Sequence, residues 1–67
     1  MTVGERLREA RKRIDKTQAE IAEIVGRTQP TVHAWESDQT LPRTEEVRVV
    51  AKAYGLKPEQ LLPERAA

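Results

Sequence analysis

Along the chain, apolar residues recur at the spacing of a helix face, and no long alternating β-branched run marks a strand. Behind a candidate cap at Thr2, the residues Val3, Leu7, Ala10 and Ile14 fall on one stripe and predict a first helix. Arg11 lies on the same stripe, and an arginine turned toward a core requires a partner. Thr17 precedes QAEIAEIV with Glu20 three residues on, a capping-box pattern that opens a second helix. Ile21, Ala22 and Val25 make its inner face, Ile24 points off it, and Gly26 stops it.

In GRTQPTVHAWES, Thr28 is placed to cap a third helix, with Val32 and Trp35 inward and Pro30, His33, Ala34 and Ser37 outward. Pro30 is tolerated there because a first-turn residue has no helical acceptor for its N–H. SDQTLPR reads as a loop. Thr44 or Arg43 then opens a fourth helix with Val47, Val50, Ala51 and Tyr54 on one face, ended by Gly55. Pro58 starts a short fifth helix, PEQLL, whose Leu61 and Leu62 are expected to close the core, and Pro63 forbids its extension. The pattern is all-α: one domain over residues 1–67, with a core from 3 to 62 and a tail, 63–67, expected to fray.

Composition changes little of this but narrows the chemistry. The 67 residues hold no cysteine and one histidine, which leaves neither a disulfide nor a zinc cluster as a source of stability. No apolar run approaches a membrane span, and MTVGERLREARKR has no signal-peptide core, so a cytoplasmic protein without a membrane partner is expected. Net charge is only +1, but its distribution is uneven: +3 over residues 1–16, −2 over 17–36 and zero over 37–67. Any basic footprint on an anionic partner must therefore come from the segments flanking the third helix. The acidic residues form no convincing acid–base pair, and no Gly-rich phosphate loop or nucleophile elbow is present. Neither an enzyme nor a cofactor is indicated.

TQAEIAEIVG, HAWES and VVAKAYGLKPEQLL, in this order, resemble the second helix, the end of the third helix, and the fourth and fifth helices of the lambda-repressor/Cro (XRE-like) helix-turn-helix family. The resemblance spans roughly residues 3–62 and implies a compact five-helix DNA-binding domain whose motif is formed by helices 2 and 3. In that family helix 3 enters the major groove, helix 2 lies across the backbone, and a two-fold dimer sets two copies about 34 Å apart. It implies double-stranded DNA and a second copy of the chain as partners; with one domain only, no small-molecule ligand is expected. A dimeric transcriptional regulator, most simply a Cro-like repressor of bacterial or phage origin on an inverted-repeat operator, is the expected function.

Residue roles follow from that geometry. Gln29 stands where the family often places a base-reading side chain, and an amide can pair with adenine at N6 and N7. With Pro30, His33 and Ala34 it makes a reading surface of one amide, one imidazole and apolar groups suited to thymine methyls. Ser37 lies at its edge. Thr17, Gln18, Thr28 and Gln29 sit at helix starts, where N–H groups and short polar side chains suit phosphate. Arg43, just before helix 4, is the strongest phosphate candidate, followed by Lys12, Arg13, Lys16 and Arg27. Arg11 and Glu36 match positions that the family joins in a structural ion pair, so removing either is expected to cost about 3 kcal/mol or more. Trp35 and Tyr54 are read as core.

Three positions depart from the family pattern: Lys16 for an apolar residue, Arg27 for a small aliphatic one, and Asp38 for a glycine. Aspartate tolerates the left-handed backbone that such a glycine site can require. Ile24 on helix 2 and Val49 on helix 4 are apolar where charge is more usual; helix 5 and its flanks are the expected dimer surface, with a patch of Val49 joined to Leu56 or the end of helix 5 as a candidate contact. The rival reading, favoured by the acidic 17–36 segment and by Pro30, is a helix-turn-helix fold used to bind protein, as an antirepressor or adaptor.

Overall fold

A computed structural model describes residues 1–61. These form four α-helices, α1 (Val3–Arg13), α2 (Gln18–Val25), α3 (Gln29–Glu36) and α4 (Val47–Tyr54), and two single 3₁₀ turns, Thr44–Glu46 and Pro58–Gln60. No strand occurs among the described residues. Leu7, Ala10, Ile21, Ala22, Val32, Trp35, Val47, Val50, Ala51, Tyr54 and Leu61 bury their side chains in one core.

The helix starts are set by side chains. Thr2 and Thr17 each accept the N–H three residues on, from Glu5 and Glu20 at 3.1 Å, and those glutamates accept the threonine N–H groups in return. Such reciprocal caps satisfy donors that a helix leaves open. Gly26 and Gly55 end α2 and α4 at φ +74° and +73°, where a side chain would be strained.

The structure corrects the expected layout in four places. The fifth helix is only the 3₁₀ turn Pro58–Gln60, too short for an α-helical turn to close; Leu61 is buried behind it, while Leu62 and the tail 63–67 lie outside the described residues. Helix 4 does not open at Arg43 or Thr44, because the 3₁₀ turn comes first and regular α geometry begins at Val47. Ile14 leaves the core stripe: α1 ends at Arg13, and Ile14 at its cap is 38% exposed.

Thr28 is the backbone cap of α3, but its hydroxyl does not cap it. A cap oxygen needs the N–H of the second or third helical residue. The second is Pro30, which has none, and the N–H of the third, Thr31, donates to the Thr28 carbonyl at 3.1 Å. The Thr28 hydroxyl instead lies 3.0 Å from that of Thr31.

Asp38 explains its own departure from glycine. It takes φ +63°, and its carboxylate accepts the Thr2 hydroxyl at 2.7 Å and the Gly4 N–H at 2.9 Å, tying the loop after α3 to the start of α1. Those two hydrogen bonds hold its carboxyl below the usual range. Gly4 is required by the same close approach, since a Cβ there would fall 2.8 Å from the Asp38 carboxylate and 2.6 Å from the Glu36 carbonyl oxygen.

Candidate nucleic-acid interface

The last residue of α3 carries a buried carboxylate that accepts four hydrogen bonds from three residues. Glu36 is 1% exposed, and its Oε2 accepts from Arg11 Nε at 2.8 Å and from the Tyr54 hydroxyl at 2.7 Å. Its Oε1 accepts from Arg11 Nη2 at 3.0 Å and from Gln18 Nε2 at 3.1 Å. The remaining Arg11 nitrogen, Nη1, donates to the Lys16 carbonyl at 3.0 Å. Burial alone pushes the Glu36 carboxyl upward, but the hydrogen bonds from Arg11, Tyr54 and Gln18 outweigh it and hold the group below 4.5, so it stays charged. Hydrogen bonding to Glu36 raises the Arg11 pKa, and burial, then the same carboxylate, pushes the Tyr54 hydroxyl far up.

This carboxylate fixes the polarity of an amide chain that runs to the surface. A charged carboxylate only accepts, so Gln18 must turn its NH₂ inward and its carbonyl outward. That carbonyl accepts from Gln29 Nε2 at 2.9 Å. Gln29, exposed at the first position of α3, is left with its carbonyl oxygen and one N–H facing out. Gln18 is therefore a half-buried bridge between the core and the head of α3.

Pro30 and His33 are exposed on the same helix, with Ala34 half-buried beside them. Pro30, Thr31 and Ala34 also line a groove together with Thr40, Leu41, Arg43, Glu46, Trp35 and Arg27. The Ser37 hydroxyl turns back onto the helix and donates to the His33 carbonyl at 2.9 Å. Val32 and Trp35 are buried on the opposite face.

The cations divide into two groups. Lys12 and Arg13 are exposed in the last turn of α1, where they also suit the negative end of the helix dipole. Lys16 is half-buried. Arg43 is exposed, and its backbone N–H donates to Glu46 Oε1 at 2.9 Å. Arg27 is different: its Nη1 donates to both oxygens of Glu46, at 2.9 and 2.7 Å, and its guanidinium carbon lies 5.8 Å from the centre of the Trp35 ring. It is committed inside the domain rather than projecting freely.

Two contributors escape the sequence reading. Tyr54 is core by periodicity, yet a buried phenol needs a partner, and Glu36 supplies it. Gln18 carries no signal of its bridging role beyond its place next to a cap. Among the exposed apolar residues, Ile24 and Val49 are each about half exposed, at 52% and 51%. No helix of the described residues is long and apolar enough to cross a membrane.

A family model described as a helix-turn-helix domain matches residues 2–64. The repressor protein C2 of Salmonella phage P22 is 33% identical over 60 residues, which make up 90% of this chain. The chain spans only about 28% of that curated relative's length. The crystal structure of the P22 c2 repressor in complex with a synthetic operator matches with a TM-score of 0.87 at 32% identity, over 92% of this chain and 94% of that one. The solution structure of the DNA-binding domain of the same repressor matches with a TM-score of 0.84 at 31% identity, over 91% and 80%. A hydroxypropylphosphonic acid epoxidase from S. wedmorenis, in complex with fosfomycin, matches with a TM-score of 0.76 at 26% identity, over 91% of this chain but 33% of that one. The fold is therefore also found as a third of a larger chain of another kind.

Proposed function

The chain belongs to the helix-turn-helix domain family of the lambda-repressor type, and from that membership we propose that it is a sequence-specific repressor that binds an inverted-repeat operator in double-stranded DNA as a homodimer. The observation that carries this reading is the amide of Gln29, held in one orientation at the exposed head of α3 by Gln18 and, behind it, Glu36. A free glutamine can present either end of its amide. This one offers an acceptor and a donor side by side, the pair that adenine N6–H and N7 require. The operator-bound likeness of the P22 repressor supports the same assignment.

In this reading residues 1–67 are one helix-turn-helix domain acting in the cytoplasm without a cofactor or small-molecule ligand. Pro30, His33 and Ala34 complete the reading face, with Pro30 and Ala34 offering apolar surface to thymine methyls. The Thr17 hydroxyl, whose oxygen already accepts the Glu20 N–H, keeps its own hydrogen for a phosphate oxygen. Thr28, Arg43, Lys12, Arg13 and Lys16 supply the other backbone contacts, and Gln18, whose side-chain amide is held by Glu36 and Gln29, adds its main-chain N–H at the head of α2. The N–H groups at the heads of α2 and α3 add partial positive charge there.

Selection from a randomised duplex library at about 0.15 M salt, where charges beyond roughly 8 Å are screened, tests the proposal. An inverted repeat with half-sites about one helical turn apart is the expected product. If a dimer neutralises about six phosphates, log affinity falls with log salt at a slope of about −5. No enrichment, with binding absent even at low salt, would instead leave α3 facing a protein. Sedimentation of Val49→Glu addresses the dimer: an unchanged oligomeric state removes Val49 from its surface.

A further inference from the structure

Arg27 occupies the turn between α2 and α3, yet its side chain does not end there. It passes over the Trp35 ring to grip Glu46, and all three residues line the groove shared with Pro30 and Ala34 of the reading face. Glu46 has a second duty: the Oε1 that accepts from Arg27 Nη1 also accepts the backbone N–H of Arg43. One carboxylate thus joins the turn of the motif to the backbone of the phosphate candidate.

We propose that Arg27 is a positioning residue, which through Glu46 holds Arg43 in register with the reading face of α3. The inference rests on the DNA-binding reading above and adds a role to it. The physical case is one of geometry. Arg43 is exposed between the buried Pro42 and a single 3₁₀ turn, the loop before it is tied to α3 only as far as Thr40, and the one side chain that holds the Arg43 backbone is Glu46. The head of α3 is fixed already, through Gln18. A guanidinium bound to both carboxylate oxygens removes remaining freedom at the groove that Pro30, Ala34, Arg43 and Glu46 line together. Two anchor points on a duplex strengthen binding fully only when their spacing is held before the encounter.

The test is a double-mutant cycle on the duplex recovered by selection, with Arg27→Met, Arg43→Ala and the double variant, each checked by circular dichroism for the folded state. Methionine keeps an apolar stem over Trp35 and removes every donor. Arg27→Met is expected to weaken binding about tenfold when Arg43 is present and less than about twofold when it is absent. Within the Arg43→Ala background, Arg27→Met should leave the salt slope unchanged. Equal losses in both backgrounds, or a slope reduced by about 0.9 per site there, would overturn the inference, since Arg27 would then be neutralising a phosphate itself. Arg27→Lys, which can still pair with Glu46, should recover part of the affinity. If Arg27→Met fails to fold, Glu46→Gln carries the same cycle, for it keeps an acceptor for the Arg43 N–H while losing the charge that Arg27 grips. Additive losses with salt-sensitive binding intact overturn this inference alone. A wild-type chain that binds no duplex overturns it together with the reading it rests on.

Discussion

Arg11–Glu36 and Arg27–Glu46 have nearly the same closest approach, 2.8 and 2.7 Å, but their side chains are 15% and 0% exposed in the first pair and 35% and 18% in the second. That difference in burial decides what each pair can do. A buried carboxylate left without its cation costs several kcal/mol, because nothing replaces the lost partner. A half-exposed one is rescued by water, and such pairs contribute about 0–1 kcal/mol. The first pair therefore holds the fold, while the second can be lost from the fold and still matter to where a neighbour sits.

The largest effect is expected at the buried pair. Arg11→Met should destabilise the domain by about 3–5 kcal/mol, close to the whole margin of a chain this small. Chemical denaturation followed by circular dichroism measures it; a loss below about 1 kcal/mol would erase the contrast between the two pairs. Tyr54→Phe removes one of the Glu36 donors without disturbing the core outline and should cost about 1–3 kcal/mol.

Acid gives a second route to the same carboxylate. The folded-state pKa of Glu36 is depressed, so its contribution is complete above the ordinary glutamate value of 4.5 and is lost as pH falls through the lower folded-state value. Asp38, Glu46, Glu5 and Glu20 are depressed too, and their contributions run in the same direction. The melting temperature should be flat from pH 7 to about pH 5 and fall below that. In Glu36→Gln, if enough folds to be followed, the acid-dependent fall should be shallower, because the residue that titrates is gone.

Gln18 lies between the two regimes, since it touches the buried carboxylate at one end and the reading face at the other. Gln18→Met should cost only about 1 kcal/mol, since Arg11 Nη2 still serves Glu36 Oε1. Its larger effect should be on discrimination. With the Gln29 amide free to turn, preference for adenine at its base should drop by an expected factor of about five or more, while the salt slope stays where it was. Binding to a panel of single-base operator variants reads this directly.

Much of the frame was legible in the residues. Thr17 with Glu20, Gly26 and Gly55 announced helix ends through local chemistry, and local chemistry is what a linear pattern carries well. Where expectation and structure part, the reason lies in a competing contact. Thr28 looked like a cap until Pro30 removed one donor and the Thr28 carbonyl took the next. PEQLL carries apolar residues suited to a helix, but a turn opened by Pro58 has room only for a 3₁₀ geometry before Leu61 enters the core. Arg11 and Glu36 were legible because a charge on an apolar stripe demands an answer. Arg27 was not: its partner lies 19 residues away and its charge sits on no stripe, so a surface cation and a tether look alike until the side chain is placed.

The smallest stability change should come from that tether, and it is the one that sharpens the contrast most. Arg27→Met should shift unfolding by no more than about 1 kcal/mol, since both members of the pair keep access to water and the stem can stay on Trp35. Arg11→Met, chemically the same exchange, should cost several times more. Denaturant titration of the two variants side by side compares them with the substitution held constant and burial as the variable. A loss at Arg27 as large as that at Arg11 would mean that the Glu46 carboxylate is a structural keystone of the α4 start. Its affinity effect would then be a consequence of unfolding rather than of register. A small loss, with the head of α4 unchanged in amide-exchange protection, leaves position as the property that Arg27 controls.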